Sequence, residues 1–404
     1  MKTLTSIIIL IAFATSCSSN KRSEDGLPFI DVKSNYPEKE ILLTDIADVT
    51  YLYLNSDDAD YLYSGKNLYI TKNTVVVLDN RSGNILFFSK DGVPKSHFNH
   101  LGQGPEEYPY ALQLIYDENA DEVFIVVGGG ACLVQVYSSM GNYKRKITLP
   151  QGVMEYSLID FDDRSFFFSD GMSIVMRKFA IQDKKDFPSN DYVLPSYRIS
   201  KTTGDVLDKV ELPGTDLILG YMLSDGWWVF APPIASLKCP EGILLSNAEA
   251  DTFFLYSGEN SLTPVIYQTP SAASLNPVEC ISQYIDRGQY QVIQVSIMRE
   301  GEFLGYFPAK YYLRNKKTGE TVHPKFLLPD YQGKEFIMNP NRPKADGRYA
   351  NDGFIYENGY CFELDLYELK EADRENKLSG KLKELVATLD EDTDNNVFML
   401  VEFK

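Results

Sequence analysis

Short apolar runs cut by turn residues fill most of the chain. "NLYITKNTVVVLD", "GNILFFSKDG", "DEVFIVVGGG" and "CLVQVYSSMG" are each rich in β-branched and aromatic side chains, and Gly, Asn or Asp interrupts every one. That is the pattern of strands joined by tight turns, and it predicts an all-β chain. One stretch departs from it. In "YELKEADRENKLSGKLKELVATL", Tyr367 to Leu389, the residues Leu378, Leu382, Leu385, Val386 and Leu389 fall at helical spacing, with Gly380 among them. A short helix packed on the sheets is expected there, ahead of a last strand "NNVFMLVEFK".

The strands repeat as a unit. Laying Gly92 of "FFSKDG" on Gly141 of "VYSSMG" places Ile85 on Val134, Phe87 on Val136 and Phe88 on Tyr137. The same order of aromatic strand, polar turn with Gly, second strand and closing proline recurs at Pro150, Pro213, Pro270 and Pro329. Proline cannot donate to a ladder and marks strand ends. A unit of about 60 residues with about four strands is one blade of a β-propeller. Six blades are expected, near 55–100, 101–150, 151–213, 214–270, 271–329 and 330–404. The strand-like "ILLTDIADVTYLYLN", Ile41 to Asn55, is expected to pair with the last blade and close the ring, since an unclosed stack leaves edges exposed.

The first residues change the picture of where such a ring would work. "MKTLTSIIIL IAFATS" has a Lys near its start, an apolar centre and small residues before Cys17, which reads as a secretory signal over residues 1–16. The small residues before Cys17 resemble a bacterial lipobox, with Ala14 where Leu is commoner; the resemblance implies that Cys17 carries the lipid. Residues 17–27 read as a polar tether and 28–404 as the propeller. The expected place is the outer membrane, lipid-anchored, on the periplasmic side or at the cell surface.

A formal net charge of −18 and the lack of a basic stripe argue against nucleic acid as a partner. Cys132, Cys239, Cys280 and Cys361 stand far apart, in no metal-ligand spacing. They are read as small buried hydrophobes, with a disulfide among them left open.

The stretch "HLGQGPEEYPYALQLIYD", His100 to Asp117, has the glycines of a phosphate loop. Glu106 and Glu107 follow where Lys and Ser or Thr would be needed, so the glycines are read as the bend between two blades, tolerant of positive φ. "FFSKDGVPKSHFNHLGQGPEEY", together with the terminal "LDEDTDNNVFMLVEFK", resembles the six-bladed β-propeller lipoproteins of Bacteroides-type bacteria, related to NHL-repeat and Tol-system propellers. The resemblance spans about residues 28 to 404 and implies fold and compartment more than activity.

Candidate chemistry is sparse. His97 and His100 stand three apart in an extended segment and so face opposite sides, unsuited to a shared metal. Asp390, Asp392 and Asp394 alternate as in a calcium loop, but Asn395 stands where Gly is needed and Val401 where the closing Glu is. "DFDDRS", Asp160 to Ser165, pairs carboxylates beside Arg164 and also fits a hairpin turn. No cofactor, metal or catalytic set is assigned. Aromatic residues are more suggestive: Trp227 and Trp228 in "YMLSDGWWVFAPP" are read in a blade strand, and with Tyr108, Tyr110, Arg348 and Tyr349 are expected to line one mouth of the ring. The expected function is non-catalytic binding of a protein, peptide or glycan at that mouth. The alternative is a secreted polysaccharide hydrolase or lyase.

Overall fold

The computed structural model describes residues 26–64, 67–128, 133–150, 158–169, 196–210, 212, 220–222, 228–230, 234–247, 251–259, 261–298, 308–336, 341–343, 349–351, 353–356 and 359–404. Six sheets, each built on four antiparallel strands that are consecutive in the chain in blades 1 to 5, form the blades of a six-bladed β-propeller. Blade 1 holds Asn67–Ile70, Thr74–Asp79, Asn84–Ser89 and Pro94–Asn99, and blade 2 holds Ala111–Asp117, Glu122–Val127, Leu133–Tyr137 and Tyr143–Thr148. Blade 3 holds Leu158–Asp162, Ser165–Ser169, Ser196–Ser200 and Val206–Val210. Blade 4 runs from Ile234–Cys239 through Gly242–Asn247 and Thr252–Tyr256 to Leu262–Thr269. Blade 5 runs from Val278–Arg287 through Tyr290–Met298 and Ala309–Asn315 to Thr321–Leu327. Blade 6 takes Gly353–Tyr356, Gly359–Leu364 and Val397–Phe403, and its outer strand is Ala47–Tyr53 from the other end of the chain.

Second strands such as Thr74–Asp79 are buried along their whole length, because each blade presents both faces to its neighbours. Outer strands alternate instead, as Pro94–Asn99 does. The seams between blades hold the hydrophobic core, with Phe87 against Tyr116 at 5.3 Å and Phe124 against Phe166 at 5.0 Å between ring centroids. The turn between third and fourth strands leans on the preceding blade. Gly92 and Gly204 take φ of +79° and +80° there, and a Cβ would lie 1.8 Å from the Tyr53 carbonyl oxygen and 2.0 Å from that of Thr148. Only glycine fits both the backbone twist and the approach.

Ring closure follows the expectation, with a difference. Ala47–Tyr53 pairs antiparallel with Val397–Phe403, but Glu38–Leu42 pairs parallel with Thr321–Leu327 of blade 5, one helical turn earlier in the chain. Further upstream, Phe29–Asp31 adds in parallel to the outer strand of blade 4. The N-terminal segment is therefore a belt along the rim of blades 4 to 6. The expected single helix is two, Leu366–Arg374 and Gly380–Ala387. Asn376 and Gly380 have positive φ at the break, while Leu382 and Val386 are fully buried against blades 5 and 6. Among the described residues no helix is long and apolar enough to cross a membrane.

Candidate functional site

The innermost strands line the hub, and polar side chains lace those of blades 1 to 4 together. Tyr69 of blade 1 reaches past blade 2 to donate its hydroxyl to Asp160 of blade 3 at 3.3 Å. Lys201, 3 % exposed, places its ammonium 2.7 Å from Asp160 and 3.4 Å from Asp117. Its Nζ also lies 5.6 Å from the ring centres of Phe124 and Phe166. A lysine buried this deeply is tolerable only when its charge is matched. Gln113 donates to the Leu158 carbonyl at 2.6 Å and accepts from the Leu158 N–H at 3.0 Å, and Lys238 donates to the Phe161 carbonyl at 2.6 Å. Asp160 is thus committed to holding blades together. Asp162 accepts from the Arg164 N–H and the Ser165 hydroxyl, so "DFDDRS" is a hairpin turn between two strands of blade 3.

The glycine loop is the connection from the outer strand of blade 1 to the inner strand of blade 2. Neither Gly102 nor Gly104 has a positive φ, which corrects the expectation for them. The glycines make room for the loop's own acid: a Cβ on Gly102 would lie 1.9 Å from a Glu107 carboxylate oxygen, which accepts from the Gly104 N–H at 2.8 Å. An oxygen-accepting cradle filled by a carboxylate is closed to phosphate. Gln135 donates to the carbonyls of Pro105 and Glu107, and Tyr137 donates to that of Glu106 at 2.7 Å, so blade 2 holds the loop rigid.

The predicted mouth residues separate. Tyr108 is fully buried; its hydroxyl donates to the Gly83 carbonyl at 2.9 Å and accepts from the His100 N–H at 3.1 Å. Burial pushes that hydroxyl up to about 12. It is a fastener of the loop and has no face left for a ligand. Tyr110 is 46 % exposed and Leu112 38 % exposed. The Tyr110 ring lies over Gly128, where a Cβ would come within 2.5 Å of it. Trp228 and Tyr349 are placed by their backbones, and not in blade strands. Gly220–Met222 with Trp228–Phe230 forms a two-stranded ribbon between blades 3 and 4, and Asn341–Pro343 with Tyr349–Asn351 another between blades 5 and 6. Trp227, Arg348 and Cys17 lie outside the described residues. Tyr110, Trp228 and Tyr349 therefore share one topological position, the outer-to-inner connection of successive blades, and such connections lie on one face of a propeller.

The remaining candidates have structural partners. His100 stacks on Tyr137 and its Nε2 lies 2.7 Å from the Gly141 carbonyl; the His323 Nδ1 lies 3.0 Å from the Tyr311 carbonyl. Asp394 accepts from the hydroxyls of Tyr53 and Ser56 and from the Asp390 N–H, a turn wrapped on itself. Cys239, Cys280 and Cys361 are buried, and burial pushes the Cys280 thiol up to about 12. Cys132 lies outside the described residues.

Residues 18–203 match a family described as 6-bladed beta-propeller. A solved protein of Bacteroides fragilis described as exported is similar over 93 % of this chain and 99 % of its own, at 15 % identity and a TM-score of 0.58. A Bacteroides vulgatus protein of the duf4221 family is similar over 89 % and 97 %, at 10 % identity and TM-score 0.48. Citrobacter koseri AztD is similar over 74 % and 81 %, at 12 % identity and TM-score 0.33. No curated protein matches. The likeness to the B. fragilis protein shows a shared fold.

Proposed function

We propose that the protein is an exported, lipid-anchored propeller, held at the outer membrane through Cys17, that binds a protein, peptide or glycan without transforming it. The observation that carries the reading is the contrast at the connection between blades 1 and 2. There Glu107, Tyr108 and Tyr137 spend their polar groups in holding the loop, while Tyr110 on the loop and Leu112 at the start of the strand that follows stay exposed. A rigid loop that presents an aromatic ring beside an aliphatic side chain is suited to stacking on a sugar or packing on a peptide. The ribbons that carry Trp228 and Tyr349 occupy the equivalent connections, which favours one shared face as the binding surface. The exported Bacteroides relative of the same fold supports the compartment.

The test is a glycan array and a membrane pull-down with the mature protein. A ligand whose capture drops about tenfold or more in Tyr110→Ala, through loss of one aromatic anchor, is the expected result. Cleavage of any polysaccharide by the purified protein would contradict the non-catalytic reading. Incorporation of a clickable fatty acid into the wild type and not into Cys17→Ala tests the anchor.

A further inference from the structure

The seams between blades are not filled alike. Phe87 of blade 1 stands two residues before Ser89, whose N–H donates to the Val93 carbonyl across the outer turn, and its ring fills the seam against Tyr116. In blade 4 the matching turn is spanned by the bond from the Ser257 N–H to the Ser261 carbonyl. Two residues before Ser257 stands Leu255. Leu255 and Asp286, on the facing strand of blade 5, both line a cleft of about 370 Å³ at this seam.

The cleft is lined by the aliphatic Leu244, Leu255 and Val265 and by the charged Glu241, Asp286, Arg287 and Lys316. Asp286 is part of the framework. It accepts from the Tyr284 hydroxyl at 2.8 Å, from the Gln291 amide at 2.9 Å and from Lys316 at 2.5 Å. Burial alone would raise its carboxyl, yet the bonds from Gln291, Lys316 and Tyr284 hold it below its ordinary value. Lys316 is 36 % exposed, and an ammonium has donors beyond the one spent on Asp286. Glu241 is 66 % exposed and stands 4.0 Å from Arg287, outside hydrogen-bond range. All four polar residues lie at or beside first-to-second or third-to-fourth strand turns. The cleft is therefore on the face opposite the proposed mouth.

We propose that the cleft binds a zwitterionic aliphatic molecule the size of a dipeptide, with its side chains against Leu244, Leu255 and Val265, its carboxylate at Lys316 and Arg287, and its ammonium at Glu241. The volume lies within the range of small-ligand pockets, roughly 300 to 1,000 Å³. A purely anionic ligand would meet Glu241 and Asp286, and a purely cationic one Arg287 and Lys316. A molecule carrying both signs meets neither repulsion.

Calorimetric titration of the mature protein with leucyl-leucine tests this, beside N-acetyl-leucyl-leucine amide, which keeps the aliphatic surface and loses both charges. Saturable binding of the free dipeptide is expected, with the blocked one at least about tenfold weaker. Leu255→Phe, which installs the aromatic that blade 1 carries, is expected to abolish binding and leave the thermal midpoint unchanged or higher. Lys316→Gln, at an exposed turn, is expected to weaken binding about tenfold in an intact fold. No saturable binding by the wild type, equal affinity for the blocked dipeptide, or undiminished binding in Lys316→Gln would each overturn the proposal. None of these results bears on capture through Tyr110.

Discussion

The two halves of the rim solve the same problem differently. Among the described residues no strand pairs with the outer edges of blades 1, 2 and 3, and these outer strands carry Pro94, Lys95, Lys144, Arg145, Lys146 and Lys209. Blades 4 and 5 are covered by the parallel strands Phe29–Asp31 and Glu38–Leu42, and blade 6 takes Ala47–Tyr53 as its outer strand. An unpaired strand edge recruits other strands, and charge, proline or an added strand each blunts it. One half of the ring is thus guarded by side chains and the other by backbone, so damage to the belt should unfold the ring where damage to the bare rim should only make it sticky.

The largest separation is expected between Leu43, fully buried in the belt, and Leu207, 50 % exposed on the outer strand of blade 3. Leu43→Ala should cost about 2–5 kcal/mol in denaturant unfolding, through lost burial and a cavity. Leu207→Ala should stay within about 0.5 kcal/mol, and equal losses would break the comparison. Next comes the contact between bare-rim blades. Gly204→Ala forces a Cβ against the Thr148 carbonyl, whereas Gly333 has a similar φ of +74° with nothing within 4 Å. Gly333→Ala should cost about 1–2 kcal/mol for the left-handed backbone alone, and Gly204→Ala clearly more.

A third test uses acid. Glu279, with a side chain 5 % exposed, joins Lys33 of the belt at 3.0 Å to Lys310 of blade 5 at 2.8 Å. Burial opposes its charge, but hydrogen bonds from Lys310 and Lys33 hold its carboxyl below the ordinary 4.5. A carboxyl with a depressed folded-state pKa contributes stability that is fully present above the unfolded value and is lost as pH falls through the folded one. Unfolding followed by fluorescence from pH 6 to pH 3 should show that loss in the wild type and a shallower one in Lys33→Gln. The smallest effect on folding is expected for Lys146→Val on the outer strand of blade 2, within about 0.5 kcal/mol. Its signature should be concentration-dependent association in light scattering.

Much of the blade plan is legible because a period repeats its own evidence. Gly92 and Gly141, aligned from the sequence, share a turn geometry at φ +79° and +81°, and Pro150, Pro270 and Pro329 stand just past the outer strands ending at Thr148, Thr269 and Leu327. The belt is not legible in this way. Glu38–Leu42 meets a partner almost three hundred residues away in parallel, and an alternation of side chains does not encode which distant edge a strand will join. Tyr108 looked like a surface aromatic because its neighbours are polar, yet those neighbours bond within the loop and its ring fills the space beneath them. The Trp228 and Tyr349 ribbons are not legible as separate elements because a short extended run reads alike in a blade and in a connection. The Lys201 clamp carries no local signal, since its partners come from Asp117 and Asp160 on two different strands.

The belt also decides how load enters the molecule. With the proposed lipid at Cys17, the intervening chain would reach at most about 40 Å and join the wheel at its circumference, on blade 4. Tension on that leash falls first on Phe29–Asp31, a ladder of three residue pairs, then on the five-pair ladder of Glu38–Leu42 with blade 5, and only after both peel on the seven-pair clasp of Ala47–Tyr53 that keeps the wheel shut. A single-molecule stretching trace should therefore show a short early rip before the ring opens.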